Sequence, residues 1–150
     1  MTELRGPAGY SGTPLVKKLG IKAGHRVLLA GAPDDFAEEF LGPLPEGATL
    51  LRSARPPVHV GVVFAIRRAE LRRRFAAAVE VLEVDGGLWV AYPKKASGVA
   101  TELDFNGVQR HGLDEGMVDN KSCAVTEVWS GLRFVWRLSD REGRRHRRRS

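Results

Sequence analysis

The chain has one cysteine, Cys123, among 150 residues, so no internal disulfide can staple it. Its four histidines, His25, His59, His111 and His146, stand far apart, without the paired spacing of a zinc site, and no metal is expected. No apolar run approaches the roughly 20 residues that span a bilayer, and residues 1–10 lack the charged start and apolar segment of a signal peptide. Those absences lead us to expect a cytoplasmic protein without a membrane partner. No G-x-S-x-G, P-loop or H-E-x-x-H string occurs, which removes three common catalytic signatures. What remains is an ordinary globular composition, 43% hydrophobic and 28% charged, at a length suited to one domain.

The formal net charge is +6, and most of it is terminal. Residues 140–150 hold six arginines against Asp140 and Glu142, while the rest of the chain is nearly neutral. A segment so cationic and so poor in apolar residues is expected to be a disordered tail, following a single domain over residues 1–139. Its Arg144, Arg145 and Arg147 are candidates for contact with nucleic acid or another anion. A solvated terminus that aids solubility explains the same residues.

Short apolar runs alternate with helical stretches, the pattern of an α/β domain whose sheet is largely parallel. In residues 10–20 (YSGTPLVKKLG), Thr13 suits a helix N-cap and Pro14 the first helical position. Residues 25–31 (HRVLLAG) read as a strand buried on both faces, and Pro33, Asp34 and Asp35 open a helix to about Leu41. Residues 49–52 and 58–65 supply two further strands. Over residues 67–83, Leu71, Phe75, Ala78, Val79 and Leu82 form one helical stripe that must face the sheet. Gly86 and Gly87 are expected to turn the chain into a strand over residues 88–92 (LWVAY), and a helix follows over about 101–111. Two alternating runs, 123–129 and 132–138, flank Ser130-Gly131 and read as a terminal antiparallel hairpin. Its outer strand offers an edge on which a second copy could pair, and the oligomeric state stays open. The expected architecture is a small three-layer Rossmann-like domain, with a mostly parallel sheet that ends in that hairpin.

Parallel strand-helix units followed by an antiparallel hairpin resemble the class I methyltransferase version of the Rossmann fold. Residues 20–31 (GIKAGHRVLLAG) are similar to its first motif, in which a buried strand runs into a glycine turn beside the adenosyl ligand. Three longer segments, 10–21 (YSGTPLVKKLGI), 92–103 (YPKKASGVATEL) and 116–135 (GMVDNKSCAVTEVWSGLRFV), resemble an uncharacterised actinobacterial family, domain-of-unknown-function family 3052. That likeness implies a fold and little chemistry. The methyltransferase likeness implies S-adenosylmethionine as cofactor, with Gly31 against it. The chain departs from that pattern after Gly31, where Ala32-Pro33 precedes two acids that would repel a pyrophosphate, and NAD is not expected. It departs again after the second strand, where Arg52 and Ser53 stand in place of an acid that would take ribose hydroxyls.

In open α/β sheets ligands sit beyond the carboxyl ends of the strands, which nominates Gly31 and the loop carrying Lys94, Lys95, Ser97 and Gly98. The lysines, hydroxyl and open backbone of that loop suit an anion, although a solvated strand end accounts for them equally. Asp119, Asn120 and Lys121 form a second polar cluster, able to assist that loop or simply to make a turn. Arg67, Arg68, Arg72, Arg73 and Arg74 crowd the start of the long helix, where positive charge opposes the helix dipole and calls for solvent, Glu70 or an anion, with Arg67, Arg68 and Arg72 as the candidates for an anion contact. Cys123 reads as a small core residue. The leading expectation is a non-catalytic binding or regulatory module for an anionic ligand or a protein. The alternatives are a methyltransferase-like enzyme using S-adenosylmethionine and an accessory protein that binds nucleic acid.

Overall fold

The structure is a computed structural model that describes residues 13–149, with side chains described through Arg145. Its aliphatic runs become strands β1 (Arg26–Ala30), β2 (Thr49–Leu51), β3 (Val58–Phe64), β4 (Leu82–Pro93), β5 (Val118–Ala124) and β6 (Trp129–Val135). They form one sheet in the order β2-β1-β3-β4-β6-β5. The first four are mutually parallel, and β6 runs antiparallel between β4 and β5. Helices α1 (Leu15–Lys18), α2 (Arg68–Val81), α3 (Phe105–Asp114) and α4 (Leu138–Arg149) complete the described elements, with a π-helical segment at Phe36–Leu41 and a 3-10 turn at Lys95–Ser97.

Two apolar layers cover the two faces of the sheet, giving the three-layer Rossmann-like α/β arrangement expected from the sequence. On one face Leu71, Phe75, Ala78 and Val81 of α2 and Val108 of α3 pack on Val63, Leu88, Val90, Leu132 and Phe134. On the other, Leu19, Ile21, Phe36 and Leu41 pack on Val27, Leu29, Val62 and Trp89. Trp89 is fully buried, and its indole N–H donates to the Leu19 carbonyl at 3.0 Å, tying the chain after α1 to the centre of the sheet. No helix among the described residues is long and apolar enough to cross a membrane.

Several local expectations are corrected. Pro14, not Thr13, occupies the N-cap of α1. Ser11 and Gly12 lie outside the described residues. Gly86 and Gly87 make no turn; β4 continues through them, because α2 passes straight into the strand at Leu82 and Gly87 leaves the seat of the Arg133 guanidinium open. The hairpin turn is not at Ser130-Gly131 but at residues 125–128, where the buried Thr126 hydroxyl accepts the amides of Val128 (3.1 Å) and Trp129 (3.2 Å). Gly131 sits inside β6, where a Cβ would press on Val125 and Trp89. Leu132, Phe134 and Trp136 do share one face, whereas Leu138 belongs to α4 and is exposed.

The arginine-rich end, read from sequence as disordered, is helix α4 through Arg149. Trp136 holds its start: the Arg144 guanidinium lies 3.3 Å above the indole ring, and Arg141 Nε donates to the Trp136 carbonyl at 3.1 Å. A cation on an aromatic face and a satisfied carbonyl supply the anchoring that apolar side chains would otherwise give.

Candidate functional site

From β1 the chain moves to β2 on one side and then to β3 on the other, so the order reverses between β1 and β3. Beyond the carboxyl ends of those strands lies the crevice where open α/β sheets take ligands. Gly31 leaves β1 there with φ +73°, a backbone conformation that side chains with a Cβ rarely adopt. Arg74, about two turns back from the end of α2, reaches over it. Its Nη1 donates to the Phe64 carbonyl at 2.6 Å, and a Cβ on Gly31 would collide with its guanidinium. One cation thus bridges the ends of β1 and β3.

The β3–α2 junction is held from two sides. Glu70 accepts the amides of Ile66 (2.9 Å) and Arg67 (3.2 Å), and these backbone hydrogen bonds keep its carboxyl below the usual carboxylate range. Thr101 donates its hydroxyl to the Ile66 carbonyl at 2.6 Å, the Glu102 amide donates to the same oxygen at 2.9 Å, and Glu102 accepts the Arg68 amide at 2.8 Å. Residues 99–104 are thereby drawn against the end of β3. Beside them opens a cleft of about 720 Å³ at the end of β4, walled by Tyr92, Lys94, Lys95, Phe105 and Ser130 among others. Burial first, and then the Asp104 charge, push the Tyr92 phenol up, which keeps it a neutral hydrogen-bond donor.

The residues singled out from sequence fall into separate places. Lys94 and Lys95 line the cleft, while Ser97 spends its hydroxyl on the Lys94 carbonyl at 2.6 Å and Gly98 closes the turn in a left-handed conformation. Asp119, Asn120 and Lys121 do not assist this loop. β5 runs parallel to β4, so its first residues lie at the opposite end of the sheet. There Asp119 accepts from Gln109 Nε2 (3.2 and 3.3 Å) and Asn120 accepts from Arg133 (3.3 Å). Arg67, Arg68 and Arg72 are exposed, and Glu70 answers backbone amides rather than their side chains. Arg145 makes an exposed ion pair with Glu142 at 3.7 Å, and the Arg147 side chain lies outside the described residues. Cys123 is half-buried, and burial pushes its thiol up, the opposite of an activated nucleophile. No cluster of metal-ligating side chains occurs among the described residues. Arg74 belongs to the arginine cluster that the sequence placed at the start of this helix, but nothing in the sequence separated it from its neighbours as the one that reaches the end of β3.

These residues fit S-adenosylmethionine at one end. A guanidinium seated over the glycine turn suits the carboxylate of the methionyl group, whereas the end of β2 carries exposed Arg52 and Ser53, with no acid to take ribose hydroxyls. The sulfonium would share the crevice with the Arg74 charge.

No family model matches the chain, and no curated protein matches it in sequence. Among solved structures it is similar to an S-adenosylmethionine-dependent methyltransferase from Aquifex aeolicus, at TM-score 0.54 and 14% identity, over 80% of this chain and 86% of that one. It is similar to the N-methyltransferase NodS from Bradyrhizobium japonicum WM9, at TM-score 0.51 and 13% identity, over 80% and 90% of the two chains. TrmN from Thermus thermophilus gives TM-score 0.50 and 13% identity, and this chain spans 47% of its length. The fold is that of these enzymes: a methyltransferase-like Rossmann sheet. This comparison overturns the expectation of a non-catalytic binding or regulatory module.

Proposed function

We propose that the chain is a methyltransferase-like enzyme dependent on S-adenosylmethionine. Its cofactor crevice lies between the ends of β1 and β3, and its acceptor cleft lies beyond β4. The observation that carries this reading is the adjacency of the two: the crevice at Gly31 and the 720 Å³ cleft open on the same edge of the sheet, joined through the Ile66 carbonyl. A cleft of that size is in the range that buries a small molecule.

S-adenosylmethionine, when bound, supplies a methyl group on a positively charged sulfur to a nucleophile. The chain's own residues bind and orient. Arg74 holds the carboxylate end, and the missing side chain at Gly31 leaves the room in which its guanidinium sits. Tyr92, kept protonated by burial, donates a hydrogen bond that orients an acceptor and does not act as a base. Ser130 offers a second polar contact across the cleft, and Val99 and Phe105 give it an apolar lip.

The test is calorimetric titration of S-adenosylhomocysteine into the protein. Saturable one-to-one binding in the micromolar range, weakened about tenfold or more by Arg74→Ala, is expected, in line with loss of a hydrogen bond to a charged group. Absence of binding at millimolar ligand would refute the proposal.

A further inference from the structure

The other end of the sheet carries a second cavity, of about 430 Å³, that the proposed enzyme site does not use. Lys18 and Lys22 flank it from the end of α1, His25 and His59 from the starts of β1 and β3, and Lys121 and Arg133 from β5 and β6. Asp85 is the one acidic side chain on its wall among the described residues. We infer that this cavity is a binding site for a phosphate-bearing anion of about the size of a diphosphate. The recognition elements would be Arg133, the three lysines and the paired imidazoles.

Three observations support the inference independently of the reading at the carboxyl edge. First, Arg133 is a half-buried cation with no carboxylate ion pair among the described residues; its guanidinium donates to the Asn120 amide oxygen at 3.3 Å. Its guanidinium lies against Gly87, where a Cβ would collide with it, so a glycine keeps its seat open. Burial, and then the charge of Arg141, make its protonated form less favourable, and an anion would relieve both. A guanidinium matches phosphate oxygens two at a time.

Second, His25 and His59 stack with centroids 4.8 Å apart and planes at 6°. Each Nδ1 accepts a backbone amide, that of Lys22 at 3.0 Å and that of Arg26 at 2.9 Å. This assigns the ring proton to Nε2 in both. With Nδ1 occupied by a backbone amide in both rings, Nε2 is the donor position each imidazole has for a ligand. Burial first, then the His59 and Lys22 charges, hold His25 below the usual histidine range, with Asp85 opposing them. Third, the frame is rigid where it matters, because the Trp89–Leu19 hydrogen bond fixes the α1 end over the sheet.

The experiment titrates inorganic pyrophosphate, and separately a nucleoside diphosphate, into the full chain. Binding is followed by calorimetry and by the imidazole nitrogen resonances of His25 and His59. Saturable binding that moves both Nε2 signals is expected. About a tenfold loss is expected in Arg133→Gln and a smaller one in Lys22→Gln, with none in Arg73→Gln, a control for bulk charge on α2. Lys22 is exposed, so its variant keeps the test open if Arg133→Gln fails to fold. Tighter binding of the nucleotide would assign the site to a nucleotide phosphate, and equal binding to free diphosphate; either supports the inference. No saturable binding of either ligand, unmoved histidine signals, or an equal loss in Arg73→Gln would overturn it. Failure of S-adenosylhomocysteine to bind would leave this result unaffected.

Discussion

Replacing Gly31 by alanine tests the crevice through folding rather than activity. Two separate costs arise. Alanine at φ +73° pays the left-handed backbone penalty, roughly 1–2 kcal/mol. Its methyl group also displaces the Arg74 guanidinium from the Phe64 carbonyl. A hydrogen bond from a charged donor contributes about 1.5–3 kcal/mol when buried; Arg74 is only half-buried, and water replaces part of the loss, so about 1–2 kcal/mol is the expected share. Gly31→Ala should therefore cost roughly 2–4 kcal/mol in the natural background and roughly 1–2 kcal/mol when Arg74 is already alanine. Urea unfolding of the four proteins of this cycle measures the coupling directly. Additivity within about 0.5 kcal/mol would show that Arg74 does not lie over Gly31, and the reading of the crevice as a guanidinium-bridged site would fall.

Two further outcomes follow from buried groups. Trp89→Phe leaves the Leu19 carbonyl without its indole donor and should cost about 1–3 kcal/mol by thermal or urea unfolding; a neutral result would mean that the chain after α1 is not held there. Stability should also fall with acid. Burial lowers the pKa of His25 and of His111 below the unfolded histidine value of 6.5, and backbone hydrogen bonds lower that of Glu70 below 4.5, so the unfolded chain binds protons first in each case. The histidine contributions are complete above about pH 6.5 and are lost as pH falls through the folded values, with Glu70 following below about pH 4.5. Unfolding free energy that is flat from neutrality down to pH 5 would contradict this.

Much of the sheet was legible because burial on both faces writes itself as runs of apolar residues, as at Val27, Leu28 and Leu29 or at Val62, Val63 and Phe64. The stripe of Leu71, Phe75 and Ala78 likewise gave the helix and the face it buries. Glycine misled the reading wherever its use was steric. Gly87 makes room for a guanidinium and Gly131 for an indole, and both look in sequence like turns. The true turn rests on the Thr126 hydroxyl, which propensity alone does not separate from a strand threonine. The cleft loop at Lys94 could be placed because it follows a buried strand. Arg74 could not be told from its arginine neighbours, since its role depends on how α2 crosses the end of β1. The charged end of the chain read as unfoldable because its anchors, an indole face and a carbonyl, are not apolar periodicity.

The register of β5 against β6 shifts between Asp119 and Lys121, at the outermost strand of the sheet. Such a bulge bends the free row of amides and carbonyls out of line, and the exposed Asn120 and Lys121 stand where an incoming strand would have to dock. At the opposite border β2 offers only three residues, too few to template a neighbour well. Among the described residues both borders of the sheet are thus blunted by geometry and charge, and a second copy would find no long, straight strand there to extend.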